Sequence, residues 1–186
     1  MRRLDAFEQV SLDGFFVDAK GDMSWAHKQD PEWSEFTSSN ASGEAALVFG
    51  RVTYEMMAGF WPTPAAMETL PVVAQAMNNM PKIVFSRTLE KASWKNTTLL
   101  KGDPAAEVRR MKSERGPDMV IMGSGSIVSQ LAQAGLIDEL QIVVNPIVLG
   151  QGRTLFEGVK DKIGLKLLKT RAFGNGNVVL YYQPTA

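Results

Sequence analysis

The chain has 186 residues, 45% of them apolar, with 20 Lys+Arg balancing 20 Asp+Glu. That size suits one domain spanning 1–186, and the even charge gives no basic face for nucleic acid. With no cysteine and a single histidine, His27, disulfides, thiolate nucleophiles, Cys-ligated zinc and multi-histidine centres are excluded, so no metal is expected. Asp5 and Glu8 interrupt any signal-like core behind Arg2-Arg3, and no apolar run is long enough to span a bilayer. The expectation is a cytoplasmic protein without membrane contact.

Leu4 to Leu12 reads as a first strand, ended by Ser11-Leu12-Asp13-Gly14. Phe15 to Asp18 runs into a turn-rich loop at Ala19 to Asp22. Asp30-Pro31-Glu32 is a helix start, with Asp as cap and Pro in the first turn, and predicts a helix over Pro31 to Ser42 closed by Gly43. Ala45 to Phe49 is a short apolar strand, and Gly50-Arg51-Val52-Thr53 opens a second helix through Tyr54, Met57 and Ala58. A loop over Trp61 to Pro64 leads to a helix within Thr69 to Met80, closed by Pro81.

Lys82 to Ser86 and Thr97 to Leu100 read as strands, and Asp103-Pro104 caps a helix running to about Arg115. Met119 to Met122 is a strand that stops at Gly123-Ser124-Gly125-Ser126, with a helix from about Ser126 to Ala134 behind it. Glu139 to Asn145 is a further strand. Leu165 to Phe173 and Val178 to Gln183 flank Gly174-Asn175-Gly176-Asn177 as a terminal hairpin. Strands alternate with helices and then dominate. The pattern predicts an α/β fold with a mostly parallel sheet and an antiparallel C-terminal edge.

Three strand ends share a pattern of apolar strand followed by small or basic residues: Phe49-Gly50-Arg51-Val52-Thr53, Phe85-Ser86-Arg87 and Met122 to Ser126. Ligands of open α/β sheets bind beyond the carboxyl ends of the strands. Glycine lets backbone approach a phosphate, a helix N-terminus offers free N–H groups, and arginine presents a fork of donors. Several anion sockets on one sheet edge suit NADPH, with Arg87 at its 2′-phosphate. The alternative is that the glycines only permit tight turns and the arginines are solvated. The Rossmann fingerprint fits poorly, because position 128 is valine, and no Walker A loop is present.

Together with Ser11-Leu12-Asp13-Gly14, Gly21 to Trp25, Gly135 to Leu140 and Pro146-x-x-Leu149-Gly150-x-Gly152, these motifs resemble, in order, the dihydrofolate reductase-like fold. Within it they resemble the reductase domain of bifunctional riboflavin-pathway deaminase-reductases. The resemblance implies a three-layer α/β/α domain that binds NADPH across the carboxyl edge. Gly50, Arg51, Val52 and Thr53 match the phosphate-contacting helix start, Ser86 and Arg87 the adenosine-phosphate end, and Gly123, Ser124, Gly125, Ser126 and Ile127 the pyrophosphate turn. Val10, Ser11, Gly14 and Trp25 match the nicotinamide side. The zinc deaminase half needs cysteines that are absent, so the chain resembles a stand-alone reductase domain. It departs from that family at position 123, which is glycine where those reductases carry a glutamate.

The implied activity is hydride transfer to a C=N or C=O group of a small heterocycle, like that of 5-amino-6-(5-phosphoribosylamino)uracil reductase. A pterin reductase, or a nucleotide-binding module without turnover, are the alternatives. Asp13 is the first candidate proton donor and Asp30 the second, at the Trp25–Asp30 spacing of dihydrofolate reductases. Asp13 reads equally as a turn residue and Asp30 as a helix cap. Trp25, Tyr54, Phe60 and Trp61 are candidate walls for a flat substrate, or simply core. The 139–148 strand and the terminal hairpin offer apolar surface for a homodimer.

Overall fold

A computed structural model describes residues 1–28, 30–41 and 44–185. In chain order the elements are β1 (Leu4–Ser11), β2 (Phe15–Asp18), a 3-10 turn (Ser24–Ala26), α1 (Pro31–Ala41), β3 (Ala46–Gly50), α2 (Arg51–Phe60), α3 (Pro64–Thr69) and α4 (Pro71–Asn79). They continue with β4 (Lys82–Phe85), β5 (Thr97–Leu100), α5 (Pro104–Ser113), β6 (Met119–Met122), α6 (Gly125–Gln133), β7 (Glu139–Asn145), β8 (Gly152–Thr154), β9 (Gly164–Ala172) and β10 (Val178–Thr185).

Eight strands form one sheet in the order β5-β4-β3-β6-β1-β7-β10-β9. The first six run parallel, β10 runs antiparallel to β7, and β9 pairs antiparallel with β10. Every residue of β3 and β4 is buried, which explains why those segments read as continuous apolar runs rather than alternating ones. One face packs Leu4, Ala6, Val48 and Ile121 against Val108 of α5 and Ile127, Val128 and Leu131 of α6. On the other face, Leu47, Phe49 and Val84 meet Tyr54 of α2 and Met77 of α4. There too Val143 and Val179 meet Trp33 and Phe36 of α1. The result is a helix–sheet–helix sandwich with an antiparallel edge.

Two pieces of local structure differ from the sequence expectation. The helix expected within Thr69 to Met80 is α4, and a further helix not expected from the sequence, α3, precedes it and begins at Pro64, the last residue of the expected loop. Each starts on a proline, and Leu70 between them sits at φ −137°, ψ 59°, because a residue preceding proline avoids the helical region. Phe15 to Asp18 is a strand, β2, paired antiparallel with β8 across more than a hundred residues. The expected C-terminal stop of α1 at Ser42-Gly43 lies outside the described residues.

β7 is hydrogen-bonded on both edges, by β1 and β10, and presents no free edge for a subunit contact. The edge strands of the sheet are β5 and β9, and β9 is exposed along its whole length. No described helix is long and apolar enough to cross a membrane.

Candidate active site

β1 and β6 pair only from Leu4↔Met119 to Phe7↔Met122. β6 then leaves the sheet at Gly123, whereas β1 continues beside β7 to Ser11. The sheet is therefore open next to Glu8, with the carboxyl end of β3 across the gap. A cleft of about 620 Å³ occupies this opening.

The two helices that start here have no side-chain cap, as α4 also has none, whereas α1, α3 and α5 are capped. Asp30, Thr63 and Asp103 accept first-turn N–H groups of α1, α3 and α5. Gly50 before α2 and Ser124 before α6 make no side-chain cap bond. Both helix starts line the cleft, where uncapped first-turn N–H groups favour an anion. Gly123 has φ +75°, and Ser124, a non-glycine residue, φ +88°. This left-handed pair folds the end of β6 back on itself and brings the α6 start to the opening.

From the expected set, Gly50, Arg51, Val52, Thr53, Ser86, Arg87 and Gly123 to Ile127 all line the cleft. Arg51 pairs with Glu55 at 2.8 Å, whereas Arg87 forms no ion pair with a described residue. Further wall comes from residues not singled out in the sequence. Phe7 and Gln9 reach it from β1, Phe16, Met23 and Arg153 from the β2–β8 side, and Met56 and Met57 from α2. The Phe16 ring lies on Gly125, where a Cβ would approach it to 2.8 Å. The Arg153 guanidinium sits 5.7 Å from the Phe16 ring centre.

The remaining expected residues lie off the cleft wall. Asp13 is exposed and binds the opposite loop, accepting from Ser11 Oγ at 2.6 Å and from the N–H groups of Leu149 and Gly150. The Ser11 hydroxyl and those two amides pull its carboxyl down to about 2, so it is ionised and has no proton to give. Asp30 Oδ1 caps α1, accepting from Trp33 N at 2.8 Å. Val10 and Ser11 are buried in the strand, and Gly14, at φ +88°, forms the following turn. The Trp25 indole donates to Asp22 O.

Tyr54 is core, with 2% exposure and its hydroxyl accepting the Trp94 N–H at 3.0 Å. Phe60 packs edge-on against Trp61 at the end of α2, and the Trp61 indole donates to Met57 Sδ. These aromatics hold α2 in place and do not wall the cleft.

The titratable group overlooked in the sequence is Glu8. Leu4, Ala6, Glu8 and Val10 share one face of β1, and the first two and Val10 belong to the core. Glu8 is itself buried, at 3% exposure, and lines the cleft. Its Oε1 accepts the Gly123 N–H at 3.0 Å, the amide left without a strand partner where β6 departs. Burial pushes this carboxyl up to about 8, and the Gly123 N–H offsets part of that shift. A period-two register beginning at Leu4 places an acid in an apolar row and is the signal that marks it.

The model of the RibD C-terminal domain family matches residues 3–179. The chain belongs to the RibD C-terminal domain family. This RibD-type domain is 28% identical over 183 residues to the uncharacterized protein YyaP of Bacillus subtilis strain 168, covering 97% of this chain and 94% of that one. It superposes with a TM-score of 0.69 on the Thermotoga maritima diaminohydroxyphosphoribosylaminopyrimidine deaminase/5-amino-6-(5-phosphoribosylamino)uracil reductase, at 15% identity, covering 99% of this chain and 57% of that one. With dihydrofolate reductase of Enterococcus faecalis, solved in complex with NADP(H), the TM-score is 0.66 at 17% identity, covering 99% and 97%. At these identities the structural likeness establishes the fold, which in this RibD-type domain is dihydrofolate reductase-like.

Proposed function

We propose that this RibD-type domain is an NADPH-dependent reductase of a small heterocyclic substrate, of the kind named for the Thermotoga relative. The observation that carries this reading is the meeting at one cleft of two helix starts without side-chain caps, α2 and α6, with Arg87, which forms no ion pair with a described residue. The residues present fit a dinucleotide. Gly50 to Thr53 and Gly123 to Ile127 would hold its phosphates, and Arg87 the 2′-phosphate. When bound, the reduced nicotinamide supplies hydride to a C=N or C=O carbon. The chain positions the two molecules and keeps water from the reacting atoms, with Phe7, Phe16, Met56 and Met57 as apolar wall.

That wall also supports a second reading, a flat unphosphorylated ring such as a dihydropterin. The test is to titrate the protein with NADPH, following nicotinamide fluorescence and melting temperature. NADPH oxidation is then followed with 5-amino-6-(5-phosphoribosylamino)uracil and with 7,8-dihydrofolate. Binding should raise the melting temperature. No shift at millimolar NADPH would sink the reductase and the nucleotide-binding readings together, and binding without oxidation would favour a module without turnover. Arg87→Ala should weaken NADPH far more than NADH, and equal losses would remove Arg87 from the 2′-phosphate.

A further inference from the structure

Reduction of a C=N or C=O bond needs a proton as well as a hydride. Among the described residues that line the cleft, the charged ones are Arg51, Arg87, Arg153 and Glu8, so the wall contains one acid. The two carboxylates favoured by the sequence are engaged elsewhere, Asp13 with the 149–150 amides and Asp30 with the start of α1. No charged group acts on the Glu8 carboxyl, Arg51, Arg87 and Arg153 of the same wall included. β6 is Met119 to Met122, α6 carries no charged residue, and the neighbour on β7 is Ile142. On α2 Arg51 is paired with Glu55, and on the β8 side Arg153 lies 3.6 Å from Glu157. One Glu8 oxygen is fixed by the Gly123 N–H, which orients the carboxyl at the point where β1 and β6 part.

We propose that Glu8 is the catalytic acid of this cleft, giving its carboxyl proton to the nitrogen or oxygen of the substrate double bond as the carbon receives hydride. The proposal rests on the hydride-transfer reading above. The carbon gains a hydrogen and an electron pair from the reduced nicotinamide, and the π electrons of the double bond move to the nitrogen or oxygen. That atom takes the Glu8 proton as the carboxyl O–H bond breaks, and the carboxylate regains a proton from water. Burial without a counter-charge keeps the carboxyl protonated in the resting site. The Gly123 N–H then stabilises the carboxylate left behind. A neutral Glu8 also leaves the neighbouring cradle open to an anion that a carboxylate would repel.

The test compares the wild-type protein with Glu8→Gln, which keeps an acceptor for the Gly123 N–H but has no acidic proton, and with Glu8→Asp. First, the infrared carboxyl stretch is read as a wild-type minus Glu8→Gln difference at pH 7, with and without NADPH. A protonated-carboxyl band in both states is expected. An ionised Glu8 in the NADPH complex would overturn the proposal without any activity measurement. Second, oxidation of NADPH with 5-amino-6-(5-phosphoribosylamino)uracil or 7,8-dihydrofolate is followed across pH. Glu8→Gln should lower kcat by about 10²–10³-fold, with NADPH affinity and KM within a few-fold, and lose the alkaline limb of the profile. Glu8→Asp should retain that limb. Turnover of Glu8→Gln at the wild-type rate refutes the acid while leaving the reductase reading intact. A wild-type protein that binds no NADPH refutes the reductase reading instead.

Discussion

Ser124 Oγ occupies the space into which a side chain at Gly50 would project. A Cβ built on Gly50 collides with that oxygen and comes within 3.3 Å of Ile127 Cγ1. The turn after β3 and the turn after β6 are thus packed directly against each other, and the two helix starts hold a fixed spacing. Gly50→Ala should move both turns, cost about 1–3 kcal/mol and weaken NADPH binding. Ser124→Gly removes the obstructing hydroxymethyl and suits the +88° φ, so the double variant should recover stability and binding. Urea midpoints and NADPH titrations of the three variants decide it. No recovery in the double variant would mean that the contact does not set the spacing.

Glu8 makes stability depend on pH. In the folded chain its carboxyl holds a proton up to about pH 8, whereas an unfolded chain releases it near 4.5. Between those values the native state binds the extra proton. Stability contributed by the neutral carboxyl is therefore full below about 4.5 and is lost as pH rises through about 8. The whole difference corresponds to about 4–5 kcal/mol. Wild type and Glu8→Gln should have similar urea midpoints near about pH 5 and diverge toward about pH 9, with Glu8→Gln the more stable at the alkaline end. Parallel curves would show Glu8 ionised throughout.

Asp13 works in the opposite direction. Its folded carboxyl titrates at about 2, below the ordinary 3.8, so the stability it supplies is present above about 4 and is lost as pH falls toward 2. Asp13→Asn should lower the melting temperature at neutral pH, speed hydrogen exchange at Leu149 and Gly150, and leave the pH profile of turnover unchanged. A variant with normal exchange at those amides and altered proton delivery would return Asp13 to the chemistry.

Self-association should run through β9. Leu165, Leu167 and Leu168 are 42–50% exposed on a strand with one free edge. Such an edge invites pairing, and a homodimer is the closed way to satisfy it. Sedimentation velocity should give a dimer for the wild type and a monomer for Leu167→Lys with Leu168→Glu. A monomeric wild type rules this out.

The alternation of strands and helices and both turns at the cleft were legible because they depend on local patterns. β3 is an apolar run between α1 and α2, and Gly123 and Gly50 sit where the chain must turn sharply. The proposed acid was less legible because Asp13 and Asp30 have strong local signatures, a turn and a cap, and make those contacts in the structure. Glu8 has none. Its surroundings come from β6 and α6, more than a hundred residues away. Tyr54 and Trp61 misled for a similar reason: an aromatic on a helix beside a ligand edge serves core or cleft according to helix rotation, and α2 turns Met56 and Met57 to the cleft instead. The β2–β8 pairing joins two segments more than a hundred residues apart, which no local pattern reveals.

The early end of β6 has a kinetic consequence. Phe7, Glu8 and Gln9 leave β1 on alternating faces yet touch one cleft, because beside them the sheet has a window instead of a strand. A sheet ordinarily separates what lies above it from what lies below. On the proposed reaction, nucleotide and ring would meet edge to edge through this window, each from its own side. Random order of addition is then the expected kinetic pattern, and strictly ordered initial-rate kinetics would count against it.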